Sequence, residues 1–217
     1  MNIVDLGVMP YSEALTVQLE CHERVRQGEE DTLFLVEHPP VITFGRHGGE
    51  NLLLGRAELA ARGVEIVKTD RGGNITCHFP GQLVAYPVFR VGKRTNGLHG
   101  FVRTLEEIVI RSAAAFGVEA ARWEGRPGVW IGNRKLCSLG MCVRHWVSFH
   151  GFALNVGNDL SLFSAITLCG YLLGQLNGGK LKKILFCGTG ALLSPTSTQQ
   201  GLPIPGVCHA VCIAGGT

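Results

Sequence analysis

The sequence is poor in charged and aromatic residues, and this scarcity already excludes several protein classes. Charged residues make up 17% of the 217 positions and aromatic residues 7%, whereas apolar residues make up 46%. These proportions are typical of a folded globular protein and argue against a disordered chain. The net charge of +3 is too small and too scattered along the chain to predict nucleic-acid binding.

The sequence also lacks a long apolar run and a signal peptide. Its longest apolar stretches fall short of the length that a membrane-spanning helix needs. Residues 1–5 contain neither the basic start nor the apolar core of a secretory signal. We therefore expect a cytoplasmic protein that has no membrane partner.

Eight cysteines are present, but no two have the Cys-x2-Cys spacing of a zinc site. The chain is too long for a small disulfide-stabilised scaffold, so a reducing compartment is the better interpretation. Most of the cysteines are then expected to be buried thiols, with one of them reactive. We expect neither a metal site nor a bound cofactor.

Charge changes abruptly late in the chain. Residues 171–217 contain three lysines and no Asp, Glu or Arg, whereas basic and acidic residues balance before them. This shift predicts a boundary near residues 170–179, although a glycine-rich last subdomain of the same fold explains the composition equally well. We predict a catalytic domain over 1–172 and a separate tail over 173–217.

Hydrophobic periodicity predicts an α+β fold with a mixed or antiparallel sheet and flanking helices. In the third helix, the apolar residues Phe101, Leu105, Ile108, Val109 and Phe116 recur at helical spacing, and Glu106 is expected to face away from the core. The predicted helices cover 11–27, 56–62 and 98–116, and the predicted strands cover 32–37, 41–44, 64–69, 82–88, 128–131, 135–139 and 147–155.

Two adjacent glycines, Gly72 and Gly73, follow a predicted strand and precede Thr76 and His78. Glycine pairs let the backbone turn tightly and pass close to a ligand, but an ordinary hairpin turn is an equally good interpretation. The segment matches neither Gly-x-Gly-x-x-Gly nor the phosphate-binding Gly-x4-Gly-Lys-Ser/Thr motif, so it is not a nucleotide loop.

Lys135 lies within a short apolar strand, and Cys169 stands beside Gly170. A thiolate attacks acyl carbons, and a nearby ammonium favours the thiolate, so this pair suits acyl transfer through a thioester. The residues alone leave two other interpretations open, a solvated lysine and an inert buried cysteine.

Many ordered motifs together resemble the octanoyltransferase family over about residues 1–172. They are Val36-Glu37-His38-Pro39-Pro40-Val41, Arg71-Gly72-Gly73 with Thr76 and His78, Pro80-Gly81-Gln82, Pro127-Gly128-Val129-Trp130, Lys135-Leu136-Cys137-Ser138-Leu139-Gly140, Ser148 to Val156, Asp159-Leu160 and Cys169-Gly170-Tyr171.

The resemblance implies a fold similar to the catalytic domain of biotin and lipoate protein ligases. It implies that Cys169 takes an octanoyl group from octanoyl-acyl carrier protein and that Lys135 lowers the pKa of this thiol. The acceptors would be lysines of apo lipoyl domains in 2-oxoacid dehydrogenase complexes and of the glycine cleavage H protein. The substrate-binding residues that it implies are Arg71, Gly72, Gly73, Asn74, Ile75, Thr76, Cys77, His78, Ser138, Leu139, Gly140, Gly151, Phe152 and Ala153.

Three residues depart from this family pattern. Phe79 stands where the family usually has glycine, so a positive φ there would strain the backbone. Cys77 occupies a position that is commonly aromatic, and Leu168 replaces the usual proline before the nucleophile. The segment after Tyr171 instead resembles the C-terminus of the thiolase-like stage V sporulation protein AD, whose function we do not transfer. An ATP-dependent lipoate-protein ligase and a non-catalytic chimeric or degenerate paralogue remain the alternative functions.

Overall fold

The computed structural model of the chain describes residues 1–47, 56–92, 97–158, 183–189 and 208–214. The chain divides into two compact units, Met1–Ile166 and Thr167–Thr217. In the second unit, two described strands, Lys183–Thr189 and Cys208–Ala214, pair antiparallel as a two-stranded sheet.

Ten strands and three helices are described in the first unit. In chain order they are β1 (Asn2–Val8), α1 (Tyr11–Arg26), β2 (Thr32–Glu37), β3 (Val41–Phe44), α2 (Arg56–Ala61), β4 (Glu65–Lys68), β5 (Ile75–His78), β6 (Gln82–Val88), α3 (Gly97–Ala115), β7 (Ala121–Trp123), β8 (Arg126–Ile131), β9 (Arg134–Arg144) and β10 (Val147–Asn155).

These strands form two mixed sheets. A seven-stranded sheet has the order β1-β2-β6-β10-β9-β8-β7, in which only the β1–β2 pair is parallel. A three-stranded sheet has the order β4-β3-β5, with β3 parallel to β4 and antiparallel to β5. The predicted α+β class with a mixed sheet and flanking helices is therefore confirmed.

The sequence pattern missed three strands: β1, β5 and β7. Most of the β1 side chains are exposed on both faces, so this strand lacks the alternation of apolar and polar residues that would reveal it. The strand β5 begins directly after the glycine pair, where the sequence predicted only a turn. The strand β9 also runs to Arg144, well beyond the predicted end at residue 139.

Helix α1 packs one face on the seven-stranded sheet. Its buried residues Tyr11, Ala14 and Gln18 recur every three or four positions, which places them on the same side of the helix. Tyr11 and Ala14 belong to an apolar cluster with Val84 and Val88 of β6. Each fully buried side chain of valine size stabilises the fold by about 1.5–3 kcal/mol relative to exposure. This packing fixes the start of α1 over the middle of the sheet.

The predicted apolar face of α3 is correct in three of its five positions. Phe101, Leu105 and Val109 are buried as expected. Ile108 is 49% exposed, and Phe116, which follows the last residue of the helix, is 87% exposed.

The prediction for Glu106 was wrong. This residue is buried, with only 4% of its surface exposed. It can lie inside because its carboxylate accepts hydrogen bonds from Arg122 and from the Gly128 backbone. Those partners come from β7 and β8, and helical periodicity does not report them.

The strain that a positive φ would cause at Phe79 is absent. Among the described residues, the non-glycine positions with positive φ are His145, Trp146 and His150, and Phe79 is not one of them. Its ring instead packs in an apolar cluster with Phe44 and Leu59. Positive φ falls two residues later, at Gly81. The large ring of Phe79 therefore contributes to the packing of this apolar cluster.

In the described parts of the chain, no helix has the length and apolar character that crossing a membrane requires.

Candidate active site

A cavity of about 260 Å³ lies between β5 and the middle of the seven-stranded sheet. Lys135 lines it together with most of the substrate-binding residues that the sequence predicted. Those residues are Arg71, Gly73, Asn74, Ile75, Thr76, His78, Ser138, Leu139, Gly140, Gly151, Phe152 and Ala153. Segments that are far apart in the sequence thus line the same cavity.

Two predicted residues, Gly72 and Cys77, do not line the cavity. Neighbouring residues of a strand point to opposite faces, so Cys77 lies behind β5 when Thr76 and His78 face the cavity. Cys77 is fully buried in an apolar cluster with Phe44. Gly72 instead attaches its loop to β9, since its N–H donates to the Met141 carbonyl at 2.8 Å.

Residues 138–140 and 151–153 meet because β9 and β10 pair antiparallel. Ser138 lies opposite Ala153, Leu139 opposite Phe152, and Gly140 opposite Gly151. A side chain at residue 140 would reach within 3.1 Å of the Gly72 carbonyl and 3.2 Å of the Arg71 side chain. The glycine at 140 therefore lets the 71–74 loop close over this part of the sheet.

Arg71 is a buried cation that holds the 71–74 loop. Its NH2 group donates to the Thr43 carbonyl at 2.8 Å, to the Thr43 hydroxyl at 2.9 Å and to the Asn74 carbonyl at 3.1 Å. NH1 donates to the Gly72 carbonyl at 3.0 Å. Burial lowers the pKa of Arg71, but from a value so high that the guanidinium stays charged. The group is a fixed positive charge in the cavity wall.

Lys135 lies at the exposed edge of the cavity. Its Nζ lies 4.8 Å from the centre of the Trp130 ring, within the range of a cation–π contact. Gly128 packs against the same side chain, and a Cβ there would lie 3.2 Å from Lys135 Cε. Partial burial lowers the pKa of Lys135, which makes proton transfer by this amine easier near neutral pH.

The predicted nucleophile, Cys169, lies outside the described residues. The described free cysteines Cys21, Cys77, Cys137 and Cys142 are all buried, and none of them lines the cavity. Burial raises the pKa of Cys137 to about 12. It also raises the pKa of Cys77 and of Cys142. These thiols are poor nucleophiles, because attack requires an accessible thiolate.

The rings of Tyr11, His78 and Tyr86 line another part of the cavity. The buried His38 ring packs against all three without lining the cavity itself. The His38 ring lies 5.3 Å from that of Tyr11 and 5.5 Å from that of His78. The Tyr11 ring stacks on His78 at 5.9 Å. Burial lowers the pKa of His38 and lowers that of His78 to about 3, so both imidazoles are neutral. The wall therefore offers fixed dipoles without positive charge on its histidines.

Each neutral histidine has one defined tautomer. His38 Nδ1–H donates to the Met9 carbonyl at 2.7 Å, and its Nε2 accepts from the Tyr86 hydroxyl at 2.7 Å. His78 Nδ1–H donates to Gln82 Oε1 at 2.7 Å, which leaves its Nε2 as an acceptor.

Gln82 continues this hydrogen-bonded chain toward Lys135. Its Nε2 donates to Asn155 Oδ1 at 2.9 Å, and Asn155 Nδ2 donates to the Lys135 carbonyl at 3.2 Å. The network joins β5, β6, β10 and β9, so the cavity histidine His78 and the backbone of Lys135 are held by the same side chains.

His150 lines the cavity in a strained backbone conformation, with φ of 56°. Its N–H donates to Gln18 Oε1 at 2.8 Å, which holds this conformation from helix α1. Burial lowers the pKa of His150 to about 4 even though Asp70 lies beside it. The neutral ring donates from Nε2 to Asp70 Oδ1 at 3.2 Å and accepts at Nδ1 from the Tyr11 hydroxyl, 3.3 Å away.

Sequence reasoning missed several cavity residues. Pro127 and His150 stand inside motifs that carried the family resemblance, but no role followed from the motifs. Tyr11 and Tyr86 gave no local signal, because only the packing of α1 on β6 brings these rings together.

The chain has relatives among known proteins. The family model of the lipoyl protein ligase A/B catalytic domain matches residues 10–171. An octanoyltransferase from Nitratidesulfovibrio vulgaris (strain DSM 19637 / Miyazaki F) is 64% identical over 171 residues, which cover 78% of each chain. The chain belongs to this family. It is an acyltransferase of the octanoyltransferase type.

Solved structures share this fold. Lipoate-protein ligase A bound with ATP superposes with a TM-score of 0.65 at 17% identity, over 76% of this chain and 70% of that one. A bipartite lipoate protein ligase from Thermoplasma acidophilum, solved with its E2 lipoyl domain, gives a TM-score of 0.58 at 19% identity, over 76% of this chain and 64% of that one. At these identities the likeness establishes the ligase-type catalytic fold alone.

The resemblance of the tail is also confirmed. The family model of stage V sporulation protein AD matches residues 154–214 and so overlaps the end of the first match. The division predicted at residue 172 stays a prediction, and Cys169 falls within the range of both models.

Proposed function

We propose that this protein transfers an octanoyl group from octanoyl-acyl carrier protein to a lysine of apo lipoyl domains. The acceptors would be the lipoyl domains of 2-oxoacid dehydrogenase complexes and the glycine cleavage H protein. One observation carries the proposal: the amine of Lys135 lies at the edge of a cavity built from the residues that the octanoyltransferase resemblance assigned to the substrate.

The cavity suits a thin aliphatic chain that ends in a reactive carbonyl. Gly140, Gly151 and Ala153 leave space along the wall, and Leu139 and Phe152 supply apolar surface. Apolar contacts of this kind hold an acyl chain without polar recognition, because each buried methylene gains about 0.8 kcal/mol on leaving water. The volume of about 260 Å³ is slightly below the usual range of small-molecule pockets, which agrees with a slender ligand.

The chemistry proceeds in two steps. The Cys169 thiolate attacks the thioester carbonyl of the donor, the carrier thiolate leaves and takes up a proton, and an octanoyl thioester forms on Cys169. The neutral amine of the acceptor lysine then attacks this thioester, the Cys169 thiolate leaves, and an amide forms. Thioester exchange is nearly balanced in free energy and amide formation is favourable, so the sequence of steps requires no ATP.

Lys135 assists both steps through its proton. As an ammonium it favours the Cys169 thiolate, and its lowered pKa lets it lend a proton to the departing thiolate and recover one from the attacking amine. Cys137 and Cys142 are buried, and burial raises the pKa of both thiols. They are therefore poorer candidates for the nucleophile than Cys169.

The test is mass spectrometry of the intact, folded protein after incubation with octanoyl-acyl carrier protein. We expect one octanoyl adduct, on the peptide that contains Cys169, and its transfer to an added apo lipoyl domain without ATP. Cys169→Ala should abolish the adduct. Cys21→Ala, which removes a buried cysteine of α1, should retain it. A folded protein without the adduct would refute the proposal, and transfer that requires ATP and free octanoate would indicate a ligase instead.

A further inference from the structure

Glu106 is the only carboxylate among the buried residues of the described chain. Burying a charge is unfavourable unless partners replace the lost water. Arg122 Nε donates to Glu106 Oε2 at 3.1 Å, and the Gly128 N–H donates to Oε1, also at 3.1 Å. Arg122 also pairs with the neighbouring Glu107 at 2.9 Å. Arg103, on the same helix, lies 3.7 Å from Glu106 Oε2. The contact by which Glu106, unlike Glu107, reaches the backbone of the sheet is its bond to Gly128.

Gly128 is the residue against which Lys135 packs. Its φ is 122°, and a Cβ there would lie 2.5 Å from the Cys137 carbonyl, 3.2 Å from Lys135 Cε and 3.6 Å from Lys135 Nζ. The Gly128 backbone thus forms a surface behind the Lys135 side chain. A shift of this backbone toward β9 would displace the amine.

The β8–β9 ladder is irregular at the same place. Val129 lies opposite Cys137 but Trp130 lies opposite Lys135, so β9 has one extra residue between these pairs. Such a bulge bends the strand and changes the direction of its side chains. At this bulge, Lys135 Nζ lies over the Trp130 ring. A bulged ladder has fewer backbone hydrogen bonds to hold it and depends more on side-chain contacts.

We propose that Glu106 is a positioning residue for Lys135, which acts by fixing the Gly128 amide beside the bulged β8–β9 ladder. Arg122 holds the carboxylate, the carboxylate holds Gly128, and Gly128 with Trp130 holds the side chain of Lys135. This inference rests on the proposed function, because that function gives the Lys135 amine a task for which its position matters.

The alternative is a purely structural role, in which Glu106 only neutralises Arg122 and attaches α3 to the sheet. Glu106→Gln separates the two roles, since it removes the charge but keeps an oxygen that accepts from the Gly128 N–H. Glu106→Ala removes both. Glu107→Gln is the matched control, because it removes the neighbouring carboxylate of Arg122 without contacting Gly128 in the described structure.

The experiment measures kcat and KM for octanoyl-acyl carrier protein, and the pKa of Lys135 by NMR of ¹³C-methylated lysines in the full chain. In Glu106→Ala we expect kcat to fall at least about tenfold, because small misplacements of a reacting group slow catalysis strongly. KM should change by less than about twofold, since the cavity is intact. The pKa of Lys135 should rise toward its ordinary value, and Glu106→Gln and Glu107→Gln should behave nearly as the native protein.

If Glu106→Ala does not fold, Glu106→Asp takes its place, because it keeps the charge but is one methylene too short to reach Gly128. Native kcat and an unchanged pKa of Lys135 in a folded Glu106→Ala or Glu106→Asp protein would overturn the proposal. Equal losses in Glu106→Gln and Glu106→Ala would overturn it too, by assigning the effect to charge. A native protein that transfers no octanoyl group would refute the proposed function instead, and the pKa of Lys135 would still test the positioning.

Discussion

Arg71 and Thr43 are joined by three hydrogen bonds, in which the guanidinium donates to both the carbonyl and the hydroxyl of the threonine. In the described part of the chain, no carboxylate pairs with Arg71. The cation is satisfied by neutral oxygens of β3 and of its own loop. It therefore fixes the shape of the cavity wall while no carboxylate compensates its positive charge in the described part of the chain.

Arg71→Lys should destabilise the protein and weaken its activity. An ammonium cannot reproduce the planar set of donors that reaches Thr43, Gly72 and Asn74 together, and buried carbonyls would lose their partners. We expect the free energy of unfolding to fall by about 3 kcal/mol, measured by urea denaturation. Arg111→Lys on α3, whose side chain is mostly exposed, is the control and should change it little. Equal stability of the two variants would contradict this account.

Gly128→Ala should impair catalysis more than its backbone strain explains. The new Cβ would contact the Cys137 carbonyl and the end of Lys135. Gly125→Ala also places a side chain at positive φ, 71°, but nothing lies within 4 Å of its Cβ. Gly125→Ala should lose about 1 kcal/mol of stability and keep its kcat. Gly128→Ala should lose more stability, because its Cβ would lie 2.5 Å from the Cys137 carbonyl, and its kcat should also fall, by about tenfold or more. Similar kcat values in the two variants would show that Lys135 tolerates displacement.

Acid should destabilise the fold through its buried histidines. In the folded protein, burial lowers the pKa of His150 to about 4 and that of His78 to about 3, from an ordinary 6.5. As the pH falls below 6.5, the unfolded chain takes up protons that the native state does not, so stability is full above this pH and declines below it. At about pH 5 we expect a loss of about 2 kcal/mol for each histidine relative to neutral pH.

Urea denaturation across this pH range measures the effect. His150→Asn should flatten the pH dependence, because asparagine does not titrate and tolerates the positive φ at this position. His99→Gln, on the exposed face of α3, is the control for the loss of an imidazole. An unchanged slope in His150→Asn would contradict the assignment of a neutral His150.

Tyr86→Phe should destabilise the protein without altering the shape of the cavity. The hydroxyl donates to His38 Nε2, whose other nitrogen is occupied by the Met9 carbonyl. Removing the donor leaves a buried imidazole nitrogen unsatisfied, which costs about 1–3 kcal/mol. A double-mutant cycle with His38→Leu, followed by thermal unfolding, isolates this bond. A coupling energy near zero would show that it contributes nothing.

The local elements of this protein were predictable because their physical causes are local. The extent of α3 and the turn between β2 and β3 are set by neighbours in sequence, and both were predicted to within one residue. The motifs were equally informative: residues 138–140 and 151–153 were assigned to the substrate before their cross-strand pairing was known. Cys77 was assigned together with its neighbours, but alternation along β5 turns it away from the cavity, so its substrate-binding role stays a prediction.

Tertiary structure decided what the charged and polar side chains do. Glu106 was expected at the surface and is buried, because Arg122 and Gly128 reach it from strands that no helical pattern reveals. The neutral state of His150 likewise depends on its burial beside Tyr11, more than a hundred residues away. The sequence by itself determined the family, the fold class and most of the residues around the cavity. Only the folded chain determined their protonation, their partners and the place of Lys135, because these depend on contacts between distant segments.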